Sequence, residues 1–363
     1  MHRLSIVLLL ISFSACKESH PDHSTLKHSN YYKLAGKTMG TYYKVTHDAP
    51  SNEIQSSIDS LLLAINQSVS TYIDTSVISK INSPGNKVEQ VSVLYNGKYI
   101  KQQRISMPAD IHFFQNFEKA QQIWRQTDGY FDPTVMPLVN YWGFGYTPKA
   151  AVSRADSSRI NQILTTIGLE QIQIESNSDD MTILKPSSLE LDFSAIAKGY
   201  AVDQIAKLLT AKGAQNSFVD IGGEVSAVGI NPSGKPWRIG LNKPVPEAAL
   251  NEISEIVSLT NKSMASSGNY RNFHTIGNRK YGHQINPKTG YPEENELLGV
   301  SIITNKCMEA DAVATACMIM GLEKAMTYVE ERLHLEGCFF TSNEKGDIIH
   351  TATKGFEELI ESH

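Results

Sequence analysis

Ser217-Phe-Val-Asp-Ile-Gly-Gly-Glu-Val-Ser-Ala-Val-Gly-Ile230 is the stretch on which the fold turns. Two short runs rich in β-branched and aromatic residues, 217–220 and 225–230, flank paired glycines. Glycine tolerates the positive φ of a tight turn, so the pattern permits a hairpin between two strands. Another run, 237–241, follows a Pro- and Gly-containing turn, and 299–304 and 338–341 read the same way. Upstream, strand-like runs stand at 42–46 and 188–193. Helical periodicity is clearest at 53–66 (Ile54, Ile58, Leu61, Leu62, Ile65) and at 110–127 (Ile111, Phe114, Phe117, Ala120, Ile123, Trp124). It recurs at 195–212 and at 309–333, with Asp110 and Ser153 placed as N-caps. Strands gathered in runs, rather than strictly alternating with helices, predict an α+β fold of short mixed or antiparallel sheets with packed helices.

The chain has 363 residues, 41% hydrophobic and 20% charged, with a formal charge of −5. That composition suits a globular body and gives no basic footprint for nucleic acid. The first sixteen residues differ. His2 and Arg3 precede an apolar stretch from Leu4 to Phe13, then Ser14, Ala15 and Cys16. This reads as an export signal. The small pair before Cys16 resembles the lipobox of bacterial lipoproteins, in which that cysteine carries the lipid; Phe13 is a mild departure from it. A plain cleaved signal accounts for the same residues. Residues 17–33 are polar at first and read as a flexible tether, leaving 34–356 as the folded domain. Cys307, Cys317 and Cys338 form no CxxC and are odd in number, so three buried thiols are expected rather than disulfides or a zinc ribbon.

Four segments mix polar, glycine and apolar residues in ways that packing does not require. In Leu191-Asp-Phe-Ser-Ala-Ile-Ala-Lys-Gly-Tyr200 an apolar run ends in Asp192 and leads into a helix. Such a junction gathers backbone donors that suit a phosphate, and Lys198 adds a charge one turn in. An Asp cap and a surface lysine explain the same residues. In Glu309-Ala-Asp-Ala-Val-Ala-Thr315, Asp311 and Thr315 share a helix face and offer oxygen ligands of the magnesium type. In His283-Gln-Ile-Asn-Pro-Lys-Thr-Gly290 a histidine leads into a turn, although a lone histidine is more often structural. In Asp220-Ile-Gly-Gly-Glu224 the glycines permit either a hairpin or close approach of a ligand.

Together these segments resemble the ApbE family of FAD:protein FMN transferases, whose motifs run in the same order. They are Gly36-Lys-Thr-Met-Gly-Thr41, Ser70-Thr-Tyr72, Asp128-Gly-Tyr-Phe-Asp-Pro-Thr134 and Pro137-Leu-Val-Asn-Tyr-Trp-Gly-Phe-Gly145. Then come the 191–200 stretch, Val219-Asp-Ile-Gly-Gly-Glu224, Ser266-Ser-Gly-Asn-Tyr-Arg271, 283–290 and 309–315. The resemblance implies a T-fold-like architecture. It implies FAD contacts at Met39, Tyr72, Tyr130, Phe131, Asp132, Asp192, Lys198 and Ile285. It implies Mg2+ ligation by the Ala195 carbonyl, Asp311 and Thr315, and His283 as the base. The implied reaction moves FMN from FAD to a Thr or Ser hydroxyl of an exported acceptor, such as a redox-complex subunit, releasing AMP. Asn286 stands where the family commonly has Asp, and Ala314 where some members have Asp, which leaves one carboxylate fewer for the metal. Family acceptors carry an Asp-x-x-(Ser/Thr)-Gly-Ala-Thr type motif, which is absent here, so self-modification at such a motif is not expected. Two rival functions share the site: an FAD pyrophosphatase giving FMN and AMP, and a non-catalytic FAD-binding lipoprotein.

Overall fold

The computed structural model describes residues 30–361 apart from 51–52, 84, 86–87, 96, 146–154, 245–251, 270–272, 277–278 and 344. The export signal, Cys16, most of the tether and the expected cap Ser153 lie outside the described residues. The fold starts with β1 (Tyr32–Thr38) and β2 (Thr41–His47), so the last two residues assigned to the tether already pair in a strand. Met39 and Gly40 close this hairpin at φ 47° and 71°. Positive φ at both turn positions matches the twist of the flanking strands, and Met39 accepts the left-handed conformation that glycine usually takes.

Next come α1 (Ile54–Val69), α2 (Val77–Asn82), β3 (Glu89–Tyr95), β4 (Lys98–Pro108) and α3 (Ile111–Gln126). Asp110 caps α3 as expected, its carboxylate accepting from Phe113 N at 2.8 Å. Then follow α4 (Met136–Tyr141), α5 (Ser157–Leu164), β5 (Gln173–Ser176) and β6 (Asp180–Lys185). Asp156 caps α5, accepting from Ser158 N and Arg159 N. The expected strand at 188–193 does not form. Leu189, Leu191 and Phe193 are buried, but Asn82 satisfies both backbone groups of Leu191, and Lys185 Nζ donates to Leu189 O. Side chains thus supply the partners that a neighbouring strand would.

The remainder is α6 (Ala197–Ala211), β7 (Ser217–Ile221), β8 (Glu224–Val228), β9 (Trp237–Asn242), β10 (Ile253–Leu259) and β11 (Lys262–Gly268). Then come β12 (Phe273–Ile276), β13 (Arg279–Gly282), β14 (Gly299–Thr304), α7 (Cys307–Met320) and α8 (Leu322–Glu330). The chain finishes with β15 (Glu336–Ser342), β16 (Ile348–Ala352) and α9 (Lys354–Glu357). The single helix expected over 309–333 is two helices, because Gly321 at φ 77° breaks it.

Eight strands form one sheet in the order β1-β2-β7-β8-β11-β14-β15-β16, with antiparallel neighbours throughout. One face carries α1, α6 and α7, and the large core fills the space between. Helix α7 is buried nearly all round, which is why its sequence is Ala- and Met-rich rather than amphipathic. The opposite face carries the β9–β10 hairpin and α9 over a second core that includes Trp237, Ile239, Met264 and Phe340. A separate four-stranded sheet, β3-β4-β6-β5, completes the α+β architecture. Among the described residues, Cys307, Cys317 and Cys338 are free and buried, as expected, and no helix is long and apolar enough to cross a membrane.

Candidate active site

Helices α6 and α7 meet at a glycine. A Cβ on Gly199 would collide with the backbone carbonyl of Cys307, so only glycine lets the two helices touch here. The contact brings Gly199 N to Asp311 Oδ2 at 3.0 Å. Asp203, one turn further along α6, accepts from Cys307 N at 3.0 Å and from Met308 N at 3.1 Å. It caps α7 from a neighbouring helix and fixes the register of Asp311 and Thr315. Burial pushes the Asp203 carboxyl up to about 6, against the backbone donors that favour its charge.

Beside this contact lies a cleft of about 360 Å³, walled by the 192–198 turn, α7, the end of β11 and the 283–287 turn. Tyr130, Phe131, Asp132, Asp192, Ala195, Lys198, His283, Ile285, Asp311 and Thr315 all line it. A second cleft of about 610 Å³ holds the remaining two expected positions, Met39 and Tyr72. The two clefts share Ser194 and Lys198 in their walls, so each of the twelve positions expected from the sequence lines one or other of two neighbouring clefts.

The local geometry explains how each is held. Asp192 Oδ1 accepts from Ser194 N at 2.7 Å and Oδ2 from Thr71 Oγ1 at 3.0 Å, tying the turn before α6 to the Ser70–Tyr72 motif. Tyr72 itself is 75% exposed and stands on the open wall of the second cleft. Asp132 Oδ1 accepts from Thr134 N and Thr134 Oγ1, at 2.8 Å and 2.6 Å. Burial nevertheless pushes its carboxyl up to about 6. The ammonium groups of Lys288 and Lys324 sit 4.3 Å and 5.5 Å from the Tyr130 ring centroid, and Lys288 is ion-paired with Asp128 at 2.6 Å. His283 stands just past the end of β13, edge-on to Phe144 with ring centroids 6.4 Å apart. Asn286 fixes the following turn by accepting from Lys288 N at 2.9 Å and donating to Glu293 at 2.8 Å. Here that position is structural.

One site residue was missed at the level of sequence. Glu224 is 5% exposed, and its Oε1 accepts from Lys198 Nζ at 2.6 Å, while Asp311 Oδ1 lies 3.8 Å from the same nitrogen. Its other oxygen, Oε2, is buried with no hydrogen-bond partner. The Asp-Ile-Gly-Gly-Glu signal was present but was read for its glycines. Gly222 and Gly223, at φ 66° and 108°, do make the expected hairpin, and that hairpin turns Glu224 inward. Burial drives Lys198 towards the neutral amine, but the charges of Asp311 and Glu224 outweigh it and raise its affinity for the proton. Burial pushes Glu224 up, Lys198 opposes this and Asp311 reinforces it.

Magnesium fits this donor set. The Asp311 carboxylate, the Thr315 hydroxyl and the Ala195 carbonyl are hard oxygen ligands, and the orphaned Glu224 oxygen adds negative charge to the same cavity. Among the described residues no group of three His, Cys, Asp or Glu side chains is placed to hold a metal. Thr315 Oγ1 is 3.1 Å from Ser267 Oγ.

Comparison with known proteins gives a consistent picture. The sequence profile described as the ApbE family matches residues 39–339. An FAD:protein FMN transferase of Haemophilus influenzae is 30% identical over 98% of this chain and 96% of its own length. One from Vibrio cholerae is 34% identical over 82% of this chain and 84% of its own. Among solved structures, the flavin transferase ApbE from Vibrio cholerae superposes with a TM-score of 0.75 at 31% identity, covering 91% of this chain and 99% of that one. The apo flavinyl transferase ApbE of Pseudomonas stutzeri gives 0.76 at 28% identity, covering 92% and 98%.

Proposed function

The chain belongs to the ApbE family and transfers FMN from FAD to a protein, and we propose that it does so with Mg2+, onto a Thr or Ser hydroxyl, with His283 as the base. The observation that supports the assignment of roles is that all twelve residues line two clefts sharing Ser194 and Lys198. In this reading the acceptor oxygen attacks the FMN-side phosphorus of FAD. A new P–O bond forms, the bridging P–O bond of the pyrophosphate breaks, and AMP departs with the bridging oxygen. His283 takes the hydroxyl proton, a contribution of about 10²–10⁴-fold when a base is well placed.

Lys198 supplies positive charge to the phosphate region and is aimed by Glu224 at 2.6 Å. Tyr72 and Tyr130 offer aromatic faces to the ring systems of FAD, and Asp192 braces the turn that carries Ala195 and Lys198 to the first cleft. Asp311, Thr315 and the Ala195 carbonyl would hold Mg2+, which when bound neutralises phosphate charge and orients the pyrophosphate. We also propose, from residues 1–16, that the protein is exported and lipid-anchored at Cys16 in the bacterial cell envelope, where it meets exported acceptors such as redox-complex subunits. The deciding experiment incubates the protein with FAD, Mg2+ and a synthetic peptide carrying the Asp-x-x-Thr-Gly-Ala-Thr motif. AMP and flavinylated peptide should appear in equal amounts. Free FMN and AMP with an unmodified peptide would establish a pyrophosphatase instead.

A further inference from the structure

A third cleft, of about 750 Å³, opens on the far side of the main sheet, and none of the twelve expected site residues lines it. It meets the first cleft along one seam, Ser266, Ser267 and Gly268 at the end of β11. Two strands present their edges to it. Strand β8 pairs with β11 only over Lys262–Met264, so the 265–268 half of β11 has a ladder partner on the β14 side alone. Among the described residues strand β9 pairs with β10 alone, and five consecutive residues, Arg238 to Asn242, line the cleft. Consecutive residues of both parities show a strand viewed along its edge rather than its face. An unpaired edge is a template for an added strand.

The seam also points at the chemistry. A Cβ on Gly282 would lie 3.2 Å from Asn269 Cβ, so the residue before His283 packs against the residue after Gly268. A chain crossing the seam therefore arrives beside His283.

We propose that the third cleft binds an extended segment of the acceptor protein by strand addition along the β9 edge, delivering its hydroxyl across Ser266–Gly268 to His283. This rests on the flavin-transfer reading above and deepens it. The FAD positions line the first two clefts and none of them lines this one. Backbone pairing along the edge would supply affinity, and the alternate side chains would supply specificity.

The test uses the full chain, FAD, Mg2+ and the same synthetic peptide. Asn242→Trp places bulk on the exposed side of β9, away from every FAD position. It should raise the peptide KM at least tenfold while leaving FAD affinity, the thermal midpoint and kcat at saturating peptide unchanged. A photo-crosslinking residue in place of Tyr42, which is 61% exposed on the cleft wall, should capture the peptide. An unchanged peptide KM in Asn242→Trp would overturn the proposal. So would crosslinks that join only two copies of the chain, or only its own N-terminal segment. A wild-type protein that binds FAD but modifies no peptide would instead overturn the transfer chemistry on which the proposal depends.

Discussion

At the scale of single residues the proposed roles separate binding from chemistry. His283 lines the cleft from the 283–287 turn, whereas the charged and aromatic groups around it come from other elements. His283→Ala should therefore leave FAD affinity within a few-fold of wild type, measured by flavin fluorescence. Its turnover should fall by about two to four powers of ten. Any limb of the wild-type pH–rate profile that reports the general base should disappear in the variant. Equal losses of binding and turnover would make His283 a structural residue. Asp311 makes a different prediction. Its Oδ2 is held by Gly199 N, and its Oδ1 faces Lys198 at 3.8 Å. Asp311→Ala removes the only carboxylate among the proposed metal ligands. The rise in thermal midpoint that Mg2+ gives the wild type should vanish, and activity should drop steeply with partial recovery at high Mg2+. A variant that keeps the full Mg2+-induced shift would remove Asp311 from the metal site.

The element that matters most is α7, and its placement depends on α6. Asp203 accepts from the N–H groups of Cys307 and Met308, both buried residues, so Asp203→Ala leaves two donors of the first turn without their acceptor. The cost should be about 1–2 kcal/mol in a denaturant melt, the range for losing a helix cap. The pH dependence has a definite sign. The folded carboxyl titrates at about 6, above its ordinary 3.8, so the native state holds this proton more tightly than the unfolded chain. Its contribution to stability is therefore full below pH 3.8, declines as pH rises towards 6, and is flat above that. Asp203→Asn should lack this decline, so wild type minus variant should fall across the interval. A difference independent of pH would show that Asp203 ionises normally. The expected strand at 188–193 was lost at this scale too. Its alternating apolar residues have the right period, but no strand lies alongside them, and Asn82 and Lys185 bind the backbone instead.

For the whole molecule, the first described strand starts at Tyr32, inside the segment read as a tether, and the anchor proposed at Cys16 stands well ahead of it in the chain. Cys16→Ser should move the protein from the membrane fraction to a soluble exported form without changing flavin transfer. Wild-type protein recovered wholly in the soluble fraction would rule out the lipid anchor and leave the catalytic reading intact. The sequence by itself determined the α+β class, the helices α1, α3, α6 and α7, the hairpin at Gly222–Gly223 and the positions now gathered at the clefts. Those are local matters of period, turn chemistry and motif order, each readable within a short window. Only the tertiary structure decided what required distant segments to meet. Glu224 became a partner of Lys198 because β8 and α6 lie against each other, 26 residues apart in the chain. The helix expected over 309–333 broke at Gly321, whose φ of 77° a hydrophobic pattern does not encode. The edges of β9 and β11 went unpaired for the same reason. Strand pairing is a property of neighbours, and no single strand's sequence names the one it will lack.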